Sequence, residues 1–435
     1  MIPLLHNLTQ MITGVPPTAS GGLILTAFSD LTVILVAALV AQRLAAFFKI
    51  PDVITFLLIG VVLGPTIPFW VPIRTDSIAN QLVVIFGASY ILFQGGLELN
   101  LRTIARYARI IALLAVGGVI VSTFIIGGAA ALIFPILPLS LALLVGVILA
   151  PTDPATLIPI LKQVRVSERL ETVIESESAF NDTTSAIIFV TLVAFLQQGH
   201  ASLIAAAGNF LREMTIGFGC GAGLGLLAGL FISYRPIGIF RENASVLTLP
   251  VALGSYTIAE RLGGSGYLAA FIGGVFLGNC RQLMPGFFRD EQELKLEIFS
   301  MDLSLICRML IFVILGSQIN FAEVARYWSH GLILLGVYIF ISRPAVVFMF
   351  FGLDRKNRWS LKEKIFLSWV REAGVMPAAL AGSLATISLN LSSQMGDTFN
   401  HFVQAIVFMA ILATLLIQAM STPWLARRLG VSKSE

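Results

Sequence analysis

Apolar stretches of about 20 residues, each long enough to cross a hydrocarbon core of roughly 30 Å, recur along the chain from Leu23 to Leu425. A soluble domain has no means of burying so many continuous apolar segments. Charged residues make up 12% of the 435 positions and hydrophobic residues 57%, whereas a soluble domain carries roughly 25% charge. Continuous apolarity, not ten-residue alternation, also excludes a transmembrane barrel. The chain is therefore expected to be an all-α polytopic membrane protein. Its 38 glycines and 18 prolines suit that class, because membrane helices tolerate both where neighbours satisfy the freed backbone groups.

The charged and Gly/Pro-containing loops divide the chain into thirteen expected spans: 23-47, 52-65, 80-97, 109-134, 139-162, 172-197, 208-233, 244-262, 265-279, 303-319, 328-352, 362-386 and 402-425. Residues 1-22 lack a basic n-region and a small-residue cleavage site, so they read as a short outside tail and not a cleaved signal. When the loops are assigned alternately to two sides, 21 of the 28 lysines and arginines fall on one side and only 4 (Arg74, Arg212, Arg261 and Arg326) on the other. The positive-inside rule then places the amino terminus outside and the carboxyl terminus in the cytoplasm, as a multi-pass protein of the inner membrane. Scattered as they are, these basic residues form no nucleic-acid face. Three cysteines without CxxC spacing, Cys220, Cys280 and Cys307, argue against disulfides and structural zinc.

The two halves resemble each other. Leu57–Gly64 (LLIGVVLG) matches Phe271–Gly278 (FIGGVFLG) at an offset of 214, and Gly96–Asn100 matches Gly316–Asn320 at 220. A third pair, the polar interruptions at Asp153 and Arg371, lies 218 apart. Each match places a span on the seventh after it, and because seven is odd the second copy must be inverted. An inverted repeat with two broken crossing helices is the mark of secondary transporters, whose site lies at the repeat interface.

Charges inside spans cost roughly 2.5–3.5 kcal/mol each on insertion scales, so they are the first functional candidates. Pro151 and Pro154 flank Thr152-Asp153 in the fifth span and should break that helix. The break would free carbonyls and leave a half-helix amino terminus near Pro154 for Asp153 to cap. In the sixth span Ser178 and Asp182 lie four apart and Glu177 and Asp182 five apart, so they share roughly one helical face. Thr183 falls on the other side. Packed against the break, that face offers three carboxylates and a hydroxyl around one small volume. Crowded carboxylates cannot all stay ionised without a counter-cation, so such a site holds either a metal cation or a proton. In the twelfth span Arg371 cannot lose its charge and must meet a carboxylate or free carbonyls; Glu177 is the expected partner. Arg308 and Arg343 are further charges within spans, the latter before Pro344 and able simply to mark a bend.

At Pro51-Asp-Val, Leu63-Gly-Pro65, Gly96-Leu-Glu-Leu99, Thr152-Asp-Pro154, Glu177-Ser, Asn181-Asp182, Gly264-Ser-Gly-Tyr-Leu-Ala269 and Arg371 to Ala381, the chain resembles the monovalent cation/proton antiporters of the bacterial and archaeal NhaP type, related to animal sodium/proton exchangers. The resemblance spans nearly the whole chain. It implies a thirteen-helix homodimer working by elevator-like alternating access, with a core (spans 3-6 and 10-13, 80-197 and 303-425) and a dimer scaffold (spans 1-2 and 7-9, 23-65 and 208-279). By the same likeness Asp182 carries the ion or proton, Asp153, Glu177, Ser178 and the Thr152 carbonyl surround Na+, and Asn181 orients the group. Arg371 and Arg308 are supporting residues. The Asn181-Asp182 pair is similar to the electroneutral branch, which exchanges one cation for one proton. Glu372 departs from the family's usual small residue there, leaving Na+ against K+ or Li+ open.

The implied partners are Na+ or another monovalent cation, H+ and the lipid bilayer, with no cofactor. A sodium-coupled organic-solute symporter of similar architecture is the alternative, but it requires a solute cavity that the sequence does not locate. A channel or a membrane sensor is less well matched still. No span holds a nucleophile with a base, which argues against an enzyme.

Overall fold

The computed structural model describes residues 19–48, 50–64, 78–135, 137–152, 161, 164–198, 203–233, 240, 242–283, 290–317, 319, 321–354, 356–386 and 393–432. Among them the backbone is helical throughout, apart from loops and one isolated bridge between Val166 and Ser432. Helices α1 (Ala19–Phe48), α2 (Asp52–Leu63) and α3 (Ile78–Glu98) lead into the long α4 (Leu101–Ile133), which contains a π-helical stretch, Leu113–Gly118. Then come α5 (Leu139–Leu149), α6 (Glu168–Gln198), α7 (Leu203–Ser233), α8 (Ala244–Arg261) and α9 (Gly266–Gly278). The remainder comprises α10 (Asp290–Ser317), α11 (Phe321–Leu353, with the π stretch Tyr338–Ser342), α12 (Leu361–Trp369) and α13 (Val375–Thr386). Last is α14, made of Ser393–Ala413, the π stretch Thr414–Ala419 and Met420–Leu429.

Helix occupies part or all of each expected span. Among the described residues seven helices are long and apolar enough to cross a membrane, and four more are shorter apolar helices. Local chemistry sets several starts. Asn100 begins α4 by accepting the Arg102 amide at 2.9 Å, and Ser360 with Glu363 forms a capping box at the start of α12.

The helices pack in two groups. One holds α1, α2, α3, α7, α8, α9 and α10; the other holds α4, α5, α6, α11, α12, α13 and α14. By packing, α3 lies chiefly on α9 and α10 chiefly on α2. Glycine is the reason. A Cβ on Gly60 or Gly64 of α2 would stand 2.2 or 2.7 Å from the Val313 or Ser317 carbonyl oxygen of α10. A Cβ on Gly274 or Gly278 of α9 would stand 2.0 or 2.1 Å from the Phe93 or Leu97 oxygen of α3. In return Gly316 of α10 closes on Leu57 and Gly96 of α3 closes on Phe271. Every residue in one crossing has its counterpart in the other at the offsets of 214 and 220 found in the sequence. Only glycine permits such backbone approach, and each helix is thereby fixed to a helix of the opposite half.

Candidate functional site

Helix α12 stops at Trp369 and α13 starts at Val375, leaving residues 370–374 extended inside the protein. Buried backbone groups without helical partners must be satisfied by side chains. The α14 π stretch does part of this: Thr414 Oγ1 accepts the Ala373 amide at 3.2 Å, and Gln418 Nε2 donates to the Trp369 carbonyl at 2.6 Å. Arg343 Nε donates to the Leu367 carbonyl at 3.1 Å.

Arg371, only 1% exposed, projects from this interruption to the end of α5. Its Nη2 donates to the Ala150 and Leu149 carbonyls at 2.8 and 3.2 Å, the negative pole of a helix whose regular course ends at Leu149 before Pro151. Its Nη1 donates to the hydroxyls of Ser122 on α4 and Ser342 on α11, both at 3.4 Å. The Tyr338 ring lies 4.5 Å from the guanidinium carbon, a cation–π contact that helps hold a charge away from water. One side chain thus joins the interruption between α12 and α13 to the end of α5.

The expected Arg371–Glu177 pairing is corrected. Glu177 pairs with Arg343: Nη1 meets Oε1 and Nη2 meets Oε2 at 2.9 Å, with both side chains at most 4% exposed. The fork of a guanidinium matches a carboxylate in two parallel bonds, while Arg371 has its charge met by carbonyls. Arg343 therefore makes a buried ion pair as well as preceding the bend at Pro344.

Helix α6 holds the α5 break from the side. Ser178 Oγ donates to the Thr152 carbonyl at 2.5 Å and lies 3.0 Å from the Thr152 hydroxyl. Asn181 Nδ2 donates to that hydroxyl at 2.8 Å, and its Oδ1 accepts the Thr152 amide at 3.4 Å. Residues three apart on α6 thus clamp one non-helical residue at its amide, carbonyl and hydroxyl. Asp182 follows on the same helix, 5% exposed. A carboxylate so buried is costly to ionise unless a cation accompanies it, and protonation is the other way to remove the cost.

Thr152, Glu177, Ser178, Asn181, Asp182 and Arg371 all fall in this neighbourhood. Asp153 and the half-helix expected from Pro154 lie outside the described residues. Arg308 lies on α10, where its Nη1 contacts the Ser304 hydroxyl at 3.5 Å. The sequence reading assigned no role to Tyr338, Gln418 or the Ser122/Ser342 pair. Ser122 and Ser342 stand 220 apart, so the repeat offset would have found them.

A family profile described as sodium/hydrogen exchanger, transmembrane, matches residues 31–428. The Na(+)/H(+) antiporter ApNhaP of Aphanothece halophytica is 29% identical over 92% of this chain and 74% of its own length. Na(+)/H(+) antiporter 1 of Methanocaldococcus jannaschii is 27% identical over 93% of this chain and 96% of its own. Among solved structures, the sodium proton antiporter MjNhaP1 from Methanocaldococcus jannaschii superposes with a TM-score of 0.73 at 26% identity, covering 94% of this chain and 99% of that one. A second structure of MjNhaP1, at pH 8, gives a TM-score of 0.74 at 24% identity. With the profile spanning almost the whole chain, and with buried charges gathered where the interruption between α12 and α13 meets the end of α5, the chain belongs to the sodium/hydrogen exchanger family.

Proposed function

We propose that this chain is a secondary active antiporter that exchanges Na+ for H+ across the cytoplasmic membrane by alternating access. The observation that carries this reading is the junction itself: Asp182 is a buried carboxylate on α6, next in sequence to Asn181 of the Thr152 clamp. A permanently ionised carboxylate is costly at such burial, so Asp182 is the group that takes either a cation or a proton in this reading. Asp153, Ser178 and the Thr152 carbonyl are its expected companions around Na+, and Asn181 holds Thr152 in place. Glu177, also an expected ion ligand, serves in this reading mainly to neutralise Arg343.

The finer points belong to the same proposal. Thirteen spans cross the membrane as two inverted halves, a reading supported by the reciprocal glycine crossings. The positive-inside count puts the carboxyl terminus in the cytoplasm. The chain works as a homodimer, with the α4–α6 and α11–α14 group moving against the remainder. If one carboxylate carries either ligand, each passage moves one positive charge and exchange is electroneutral.

Proteoliposomes with an internal pH dye, challenged with Na+, K+ and Li+ in turn, test the function. Na+-driven proton movement is expected, and its absence with every cation would refute antiport. Apparent Na+ affinity should fall as pH drops through the apparent pKa of the site. Under a potassium/valinomycin potential the Na+-driven rate should not vary with voltage; a systematic dependence would show more than one proton per cation.

A further inference from the structure

On the far side of α6 from the Thr152 clamp lies a cavity of about 470 Å³, bounded by α6, α7, α8 and the turn before α9. Its mouth is polar: Asn209, Arg212 and Glu260 are exposed. Its innermost hydroxyls, on Thr183 and Ser265, are buried, at 1% and 8% exposure. They face each other at 3.2 Å, Thr183 Oγ1 to Ser265 Oγ. Thr183 is the residue after Asp182 on α6, and Tyr267 lines the same cavity. The cavity floor therefore abuts the proposed carrier.

Ser265 is held firmly in place. Its amide donates to the Glu213 carbonyl of α7 at 3.1 Å, and its hydroxyl accepts the Leu268 amide at 3.3 Å as the cap of α9. The preceding turn is wedged against α7: Gly263 has φ +76°, and a Cβ there would meet Arg212 at 2.0 Å. Glu260 Oε1 accepts the Gly266 amide at 3.0 Å and fixes the other end. Thr183, by contrast, rides on α6, which packs in the other group. The Thr183–Ser265 bond thus joins a fixed turn of one packing group to the carrier helix of the other, at the bottom of a space that holds on the order of fifteen water molecules at about 30 Å³ each.

We infer that this cavity is the vestibule through which a hydrated monovalent cation reaches Asp182 from the Arg212/Arg261 side, and that the Thr183–Ser265 bond is the latch that closes it. The inference rests on the antiport reading above. Relative movement of the two groups breaks the latch, so the bond stabilises only the vestibule-closed state. An interaction made in one of two states biases the equilibrium by its own differential free energy. The apparent affinity at the vestibule face is reduced by the fraction of molecules that are open there.

Thr183→Val keeps the shape and deletes the hydroxyl, whereas Thr183→Ser keeps the hydroxyl; neither touches the α9 cap. In oriented vesicles Thr183→Val should improve apparent Na+ affinity at the vestibule face by roughly two- to tenfold, the worth of one net hydrogen bond. Affinity at the opposite face should change less, and Thr183→Ser should restore wild-type behaviour. Equal changes at both faces, no change at either, or a Thr183→Ser protein that behaves like Thr183→Val would each overturn the latch. Independently of transport, Ala186→Cys in a cysteine-free background should react with an impermeant maleimide from the Arg212/Arg261 face. Reaction only from the other face, or none in protein that labels after denaturation, would overturn the vestibule. If wild-type protein exchanges no cation in these vesicles, the antiport reading fails, and the labelling pattern still decides the vestibule.

Discussion

Asp182→Asn preserves the shape of the α6 side chain and removes its ionisable group. Na+-driven proton flux should fall to the background of empty liposomes while expression and detergent melting stay near wild type; flux at the wild-type rate would place the carrier elsewhere. The two arginines should separate by stability. Arg343→Ala strands the Glu177 carboxylate in a buried setting, a loss of about 3–5 kcal/mol for a broken buried pair, and the double variant Arg343→Met/Glu177→Leu should recover much of the lost melting temperature. Arg371→Lys retains the charge but cannot reach two α5 carbonyls and two hydroxyls with one fork. It should lower exchange, with a smaller effect on melting than Arg343→Ala. That ordering, read by thermal unfolding in detergent alongside flux, checks the assignment of Arg343 and not Arg371 as the partner of Glu177.

At the scale of elements, the crossings α2–α10 and α3–α9 depend on backbone contact. Gly274→Ala puts a Cβ 2.0 Å from the Phe93 carbonyl oxygen, where the obstacle is backbone and cannot rotate away. A cost of about 1–3 kcal/mol or more is expected, the usual penalty of overpacking, together with a lower yield of folded protein. Gly223 of α7 has open space around its Cβ position, and Gly223→Ala should melt like wild type. Because Gly60 stands where Gly274 stands in the other half, Gly60→Ala should match Gly274→Ala within experimental scatter. A Gly60→Ala protein as stable as Gly223→Ala would break the equivalence of the two crossings. The interrupted helix is stabilised differently, through Gln418 and Thr414 of a π stretch that turns polar groups onto the Trp369 carbonyl and the Ala373 amide.

For the whole molecule the open matter is orientation. In a cysteine-free background, Lys356→Cys should label with an impermeant reagent only from the cytoplasm and Leu262→Cys only from outside; both side chains are exposed. Labelling of both from one side would refute the thirteen-span topology and, with it, the inverted pairing of the halves. The same experiment bears on the vestibule, since Leu262 adjoins the wedged turn at its rim.

Hydropathy determined the class of protein and the neighbourhood of its helical spans, because insertion into a bilayer acts on each segment nearly by itself, and Gly374 and Pro377 marked the interruption between α12 and α13. The carboxylates of α6 were legible for the same reason: a charge in an apolar span stands out against its immediate neighbours. Pairing was not. Glu177 with Arg343, Arg371 with the Leu149 carbonyl, and Thr183 with Ser265 join residues 166, 222 and 82 positions apart, and several donors stood within the range of plausible partners. Nor did the spans reveal that α3 packs chiefly on α9 and α10 chiefly on α2. Which donor meets which acceptor depends on how helices cross, and the crossings are set by backbone contact at a few glycines whose neighbours lie in the other half of the chain. That information exists only once the halves are assembled.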